Sequence, residues 1–364
     1  MLRTLIAGLI MLASASLALA APITVTDLAG RTVTLEHPAQ RIVLFEARQI
    51  VALSLVAPDA ADRLVGWADN ERFDEVLRAA YIEKYPGLAD LLDVTQDNSV
   101  STELVLSTSP DLVIFSGGSG ITEEQAAVIA VLDQLGVPSI YIDFRADPWD
   151  NTIPSLTLLG QVMGTSDYAQ RFIDFYTAHR NEIVDRVAAA NPPRPSVFMF
   201  MQASATNVLM APGRSNLGTF IEAAGGRNIA AGVVPGLFGA LSPEYLLTQD
   251  PDILIGTGGQ WFPPDQGITA GPGTTPQDLQ AGIRTIMGAE TIKELSVIKT
   301  GRVHALWHNY HNSPLNVLAL EAIAKWVQPD LFADIDPQAT LDEINRTYLP
   351  ITFEKGSWGD YAPE

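Results

Sequence analysis

The sequence predicts an α/β protein built as two similar lobes joined by one long helix. Three observations carry this. Short apolar runs alternate with helix-patterned stretches in both halves of the chain. Between the halves, Asp167 to Ala190 places Phe172, Tyr176, His179, Ile183 and Val187 on one helical face. Segment 101–118 recurs as 242–259, with eight of 18 positions identical at a constant offset of 141.

The elements follow in chain order. Residues 1–20 start with Arg3, continue through an apolar run from Leu5, and close on Ala18-Leu19-Ala20 before Ala21-Pro22. That is the pattern of a secretory signal peptide cleaved after Ala20, and it predicts export to the periplasm. The first lobe is expected over 21–150. Ile23 to Leu35 reads as a hairpin turning at Gly30. Strands follow at Arg41–Phe45, Leu64–Trp67, Leu112–Phe115 and Ser139–Phe144, with a helical stretch through Ala57 and a helix over Glu123–Leu135. A linking helical segment over 151–193 holds Asn151–Met163 and the long helix. At 1.5 Å per residue, 24 residues reach about 36 Å, and the prolines at 192, 193 and 195 stop the helix. His179 on its apolar face reads as a packed histidine.

The second lobe is expected over 194–350. Strands fall at Ser196–Met201, Asp252–Ile255 and Arg302–Trp307, and helices at Asn216–Ala224, Pro314–Val327 and Leu341–Tyr348. Ser215 or Asn216 is the expected cap of the first helix, and Pro314 the first-turn residue of the second. Trp261 to Pro276 is rich in Gly and Pro and reads as a long loop. The 351–364 tail is expected to be disordered or to pack on the surface.

The composition excludes several functions. A net charge of −20, from 22 Lys plus Arg against 42 Asp plus Glu, repels phosphate backbones, so no nucleic-acid partner is expected. The absence of cysteine removes disulfides, thiolate metal sites, Cys nucleophiles and lipidated Cys. There is no GxSxG, GxxxxGK[ST] or HExxH motif, and no catalytic residue is assigned.

Ligands of open α/β sheets bind beyond the strand ends. Two facing lobes would therefore line a cleft with the residues that follow each strand: Glu46, Arg48, Trp67, Ser116, Arg145, Gln202, Trp261, and the run His308-Asn309-Tyr310-His311, with Arg214 before a helix start. Of these, Arg48, Trp67, Arg145, Arg214, Trp261, His308 and Tyr310 are the expected ligand contacts. Arginine forks and flat aromatic faces suit a bulky, aromatic or anionic ligand. His304, His308 and His311 with a carboxylate leave open a metal-dependent hydrolase, although their spacing matches no metal signature and no metal site is assigned.

Several segments together resemble the iron-complex periplasmic binding proteins, the substrate-binding components of ABC importers for ferric siderophores, haem and cobalamin. They are Val25–Val33 followed by Gln40–Leu44, both Ser-x-Glu…Pro-Asp copies, Leu158–Gly164 with the long helix after it, and Gly225–Ala230. The resemblance covers nearly all of 23–349. It implies two Rossmann-like lobes on a single rigid helix (class III, the helical-backbone type), closing little on binding. It also implies that one exposed glutamate per lobe, here Glu103 and Glu244, docks onto arginines of a permease dimer worked by an ATPase. The ligand expected is a ferric siderophore, with iron present only inside the chelate and no cofactor of the chain's own. Haem, cobalamin or an oxyanion such as molybdate are the alternatives. The chain is expected to act as a monomer.

Overall fold

The computed structural model describes residues 21–68, 73–96 and 99–363. The expected leader, residues 1–20, lies outside them. Two five-stranded sheets form the cores of two lobes. In the first, the order is Leu92–Asp93, Leu64–Trp67, Ile42–Leu44, Leu112–Phe115, Ser139–Tyr141, all parallel. In the second, it is Arg227–Asn228, Ser196–Phe200, Ile253–Gly258, Val303–Trp307, Trp358–Asp360, with only the last strand antiparallel. The inner strands are short apolar runs, buried along their whole length except at Val65, as sheets covered by helices on both faces require. Strand order reverses beside Ile42–Leu44 in the first lobe and beside Ser196–Phe200 in the second. Crevices open at such reversals.

The repeat has a structural cause. In each copy a serine, Ser101 or Ser242, caps a short helix by accepting the N–H three residues on. In each copy the aspartate after the proline pins the start of a neighbouring strand. Asp111 accepts the backbone N–H groups of Gln40 and Arg41, just before Ile42–Leu44. Asp252 accepts the N–H and hydroxyl of Ser196, the first residue of its strand, both at 2.7 Å. The hydrogen bonds from Ser196 hold the Asp252 carboxyl below its ordinary range against the effect of burial.

The helix Ser166–Ala190 connects the lobes. It packs on Pro148–Met163 and Ile50–Val56 of the first lobe and on Leu217–Ala223 and Asn316–Val327 of the second. Polar contacts fasten it to the second lobe, among them an ion pair of Arg186 with Asp334 at 2.6 Å. The Tyr176 hydroxyl donates to Asn316 at 2.8 Å, and His179 meets the buried Glu321 carboxylate at 2.6 Å.

The structure corrects four expectations. The helix after His308–Asn312 starts at Asn316, because a 3₁₀ turn and a bend at Ser313–Leu315 precede it, and Pro314 lies in that bend. Asn216 holds the cap position of Leu217–Ala223 without capping it. The last helix starts earlier, at Pro337, where Asp336 caps it. The tail is not disordered but packs on the second lobe, where Trp358–Asp360 completes the sheet at its edge. Two helices, Glu75–Lys84 and Pro276–Met287, have no counterpart in the sequence reading.

The His179–Glu321 contact predicts a pH dependence of stability. Burial lowers the His179 pKa, but the hydrogen bond and charge of Glu321 outweigh it and raise it. A raised histidine pKa gives stability that is full below the unfolded value of about 6.5 and is lost as pH rises through the folded value. Denaturant midpoints of the wild type should fall as pH rises above about 6.5, and those of His179→Gln should be flatter. Parallel profiles would contradict this. Truncation to Ala should cost about 1–3 kcal/mol, since it strands a buried carboxylate.

Candidate functional site

A cavity of about 690 Å³ lies between the lobes, at the strand-order reversals, within the roughly 300–1,000 Å³ usual for small-molecule sites. The first lobe contributes Arg48 and Arg145. The second contributes Met201, Gln202, Asn207, Val208, Met210, Phe238, Trp261, His308, Asn309 and His311. The walls thus combine two guanidinium groups with aromatic, thioether and amide surface.

Each polar group is held from behind. Arg48 ion-pairs with the buried Glu46 carboxylate, which also accepts from Ser116 at 2.8 Å and from Asn312 at 2.9 Å. Burial pushes the Glu46 pKa up, but the Arg48 charge and these hydrogen bonds hold it below the ordinary carboxylate range. Arg145 crosses the cleft over the Phe238 ring, 5.8 Å from its centroid, a cation–π arrangement. The loop that carries Arg145 is shaped by Asp143, which accepts the N–H groups of Arg145, Ala146 and Asp147. Gln202, two residues past the strand Ser196–Phe200, takes a left-handed φ of 49°. That conformation is uncommon for a non-glycine residue and is held by a bond from its N–H to the Thr257 hydroxyl.

His308 and His311 pack with ring centroids 4.3 Å apart. The Nδ1 of His308 meets the Thr257 hydroxyl at 2.9 Å, and its Nε2 meets the Gln202 amide at 3.2 Å. His311 places Nδ1 2.7 Å from the His308 carbonyl, which fixes the tautomer with the proton on Nδ1. Burial, reinforced by the charges of Arg48 and Arg145, lowers the His308 pKa to about 3. Burial, with His308, Arg48 and Arg145 adding to it, sends that of His311 well below its usual value. Both imidazoles are neutral at physiological pH, so the positive charge of the cavity comes from arginine.

Trp261 stands at the mouth, 46% exposed, edge-on to His308 at 6.0 Å. Its ring lies against Gly259, and any Cβ there would enter the ring. At Gly258 a Cβ would strike the Ile268 carbonyl. The second Gly-Gly of the repeat is therefore required by close approach.

Of the seven expected ligand contacts, the structure brings Arg48, Arg145, Trp261 and His308 together. The other three lie elsewhere. Trp67 is buried in the first-lobe core, edge-on to Phe73. Tyr310 is fully buried, edge-on to Trp307. Arg214 is exposed, donates to the Ala231 carbonyl at 2.8 Å and lines a separate depression with residues 231–237. His304 does not join the other histidines. It pairs with Asp360 at 2.8 Å and stacks on Trp326. Among the described residues, no group of three or more His, Cys, Asp or Glu side chains converges as a metal site would require. Phe238 and Met210 escaped the sequence reading because they arrive on a separate two-stranded antiparallel pair, Met210–Pro212 with Phe238–Ala240, that in sequence is not the end of any main-sheet strand.

A family model described as periplasmic binding protein matches residues 47–308. The chain belongs to the periplasmic binding protein family. Members of this family are substrate-binding proteins of transport, not enzymes. A cobalamin-binding protein of Halobacterium salinarum (strain ATCC 29341 / DSM 671 / R1) is 24% identical over 310 residues, 83% of this chain and 72% of that one. A TroA-like periplasmic binding protein of Veillonella parvula, FepB, superimposes with a TM-score of 0.82 at 23% identity, over 94% of this binding protein and all of that chain. The molybdate-binding protein MolA of Haemophilus influenzae matches with a TM-score of 0.66 at 20% identity, over 94% and 99% of the two chains. At these identities the likeness to the solved structures is one of fold: parallel α/β lobes on a single connecting helix, the class III arrangement. Among the described residues, no helix is long and apolar enough to cross a membrane.

The neutral imidazoles give a direct check. NMR resonances of His308 and His311, assigned by substitution, should show no titration between about pH 5 and about pH 8. A midpoint near 6.5 for either would contradict their placement behind Arg48 and Arg145.

Proposed function

We propose that this chain is the periplasmic substrate-binding component of an ABC importer and that its cargo is a ferric siderophore, with iron entering only inside the chelate. The observation that carries the proposal is the pairing of Arg48 and Arg145 with the Trp261 and Phe238 faces in one inter-lobe cavity. Buried guanidinium groups recognise carboxylate, catecholate or phosphate oxygens, and flat rings cover the apolar body of a chelate. The leader pattern of residues 1–20 supports export, and the mature chain is proposed to act as a monomer. A corrinoid is the second reading, favoured by the cobalamin-binding relative.

Glu103 and Glu244 are the proposed contacts to the permease. Both are exposed in the first turn of matching short helices, one per lobe. A two-fold permease dimer needs equivalent anionic points on the two lobes.

Two outcomes test these roles. An anionic ferric siderophore should quench the emission of Trp261 (the signal missing in Trp261→Phe), and free ferric ion or molybdate should not. Arg48→Gln with Arg145→Gln should weaken that binding by about a hundredfold, from about 1.5 kcal/mol or more per charged contact. Quenching by aquacobalamin alone would move the cargo to the corrinoid. Reversing both charges, Glu103→Arg with Glu244→Arg, should abolish uptake while leaving affinity near the wild-type value. Lost affinity would assign these glutamates to the fold or cleft.

A further inference from the structure

The run His308-Asn309-Tyr310-His311-Asn312 is a 3₁₀ turn. Side chains three apart eclipse in such a turn, so this sequence presents two faces. His308 and His311 share one and line the cavity. Asn309 and Asn312 share the next and plug into two sockets of the opposite lobe. The Asn309 amide oxygen accepts from Arg48 at 2.9 Å, and its nitrogen donates to Asp74 at 2.7 Å. The Asn312 nitrogen donates to Glu46 at 2.9 Å, and its oxygen accepts from Gln49 at 3.3 Å. Asp74 also accepts from the Trp307 indole at 3.2 Å. Asp74, Asn309, Asn312 and Glu46 are all buried.

Arg48 belongs to both arrangements. It lines the cavity, yet one of its terminal nitrogens is held by Glu46 beneath it and the other by Asn309 across the seam. Asp74 in turn holds the Asn309 amide in the one orientation that points its oxygen at Arg48, because a carboxylate can only accept. Burial raises the Asp74 pKa, with the Asn309 and Trp307 bonds opposing.

We propose that Asp74, acting through Asn309, is a positioning residue for Arg48, so that recognition of an anion in the cleft depends on contact between the lobes. This rests on the cargo reading above for its consequence in binding, but the positioning itself is testable without cargo. The Arg48 Nε–H signal, assigned by its loss in Arg48→Lys, should be sharp in the wild type. It should broaden or move to exchange-averaged positions in Asp74→Ala and Asn309→Ala. Asp74→Asn, whose amide oxygen still accepts from Asn309, should restore it. An unchanged Arg48 signal in folded Asp74→Ala and Asn309→Ala overturns the proposal.

Binding supplies the second readout, with a ferric tricatecholate as the anionic probe and ferrichrome as the uncharged one. Asp74→Ala should weaken the tricatecholate by about tenfold and change ferrichrome by less than about twofold. Added to Arg48→Gln, it should cause no further loss, since residues acting as a unit are non-additive. Equal losses for both probes, or additive losses with Arg48→Gln, would make Asp74 a structural residue and overturn the proposal. A perturbed Arg48 signal in a protein whose wild type captures neither probe would overturn the siderophore reading and leave the positioning role standing.

Discussion

Two buried carboxylates at the lobe seam govern the geometry of the site. A buried carboxylate without partners is among the most costly features a fold can hold. Glu46 and Asp74 both belong to the first lobe, and each is satisfied in part by an asparagine of the second. Parting the lobes would therefore break hydrogen bonds to both carboxylates. Asn216 adds a third stitch, since its side-chain amide donates to the Arg145 carbonyl of one lobe and the His311 carbonyl of the other. These contacts, with the strut helix, tie the two walls of the cavity to each other.

The same seam explains how the charge of the cleft is distributed. The chain as a whole is strongly acidic, but the cavity wall is basic through Arg48 and Arg145. A carboxylate or amide fixes Arg48 from behind, and a backbone loop organised by Asp143 presents Arg145. The histidines, whose residue type suggests charge or metal, are neutral because burial, reinforced by those arginines, suppresses protonation. They serve as hydrogen-bonding and packing surface.

Much of this fold is visible in the sequence, for physical reasons. Buried parallel strands are continuous apolar runs, the long helix shows its 3.6 period, and the Pro-Asp turn recurs because each lobe must pin a neighbouring strand with a carboxylate. The site is less legible. The rule that ligands meet strand ends located Arg48, Arg145, Trp261 and His308. It could not say that Trp67 turns into the core, or that Tyr310 turns inward while its neighbours face the cleft. The latter follows from the 3₁₀ period of His308–Asn312, and a five-residue turn leaves too short a pattern to distinguish from a strand end or an α-helix start. Phe238 carries no signal at all, because its short strand Phe238–Ala240 pairs with Met210–Pro212, some 26 residues earlier, and not with a main sheet. The edge strand Trp358–Asp360 was unreadable because it is short and its partner, Val303–Trp307, lies some fifty residues earlier.

Side chains at the seam join the two lobes, and the lobe spacing that results is measurable. The chain has no cysteine, so two can be introduced cleanly at exposed positions on opposite lobes, Leu135 and Val233. Spin labels at Leu135→Cys and Val233→Cys would report the inter-lobe distance in the unliganded protein by pulsed electron–electron resonance. A preformed cleft predicts one narrow distance distribution that cargo barely shifts. Two populations, or a broad distribution that sharpens only on loading, would contradict it.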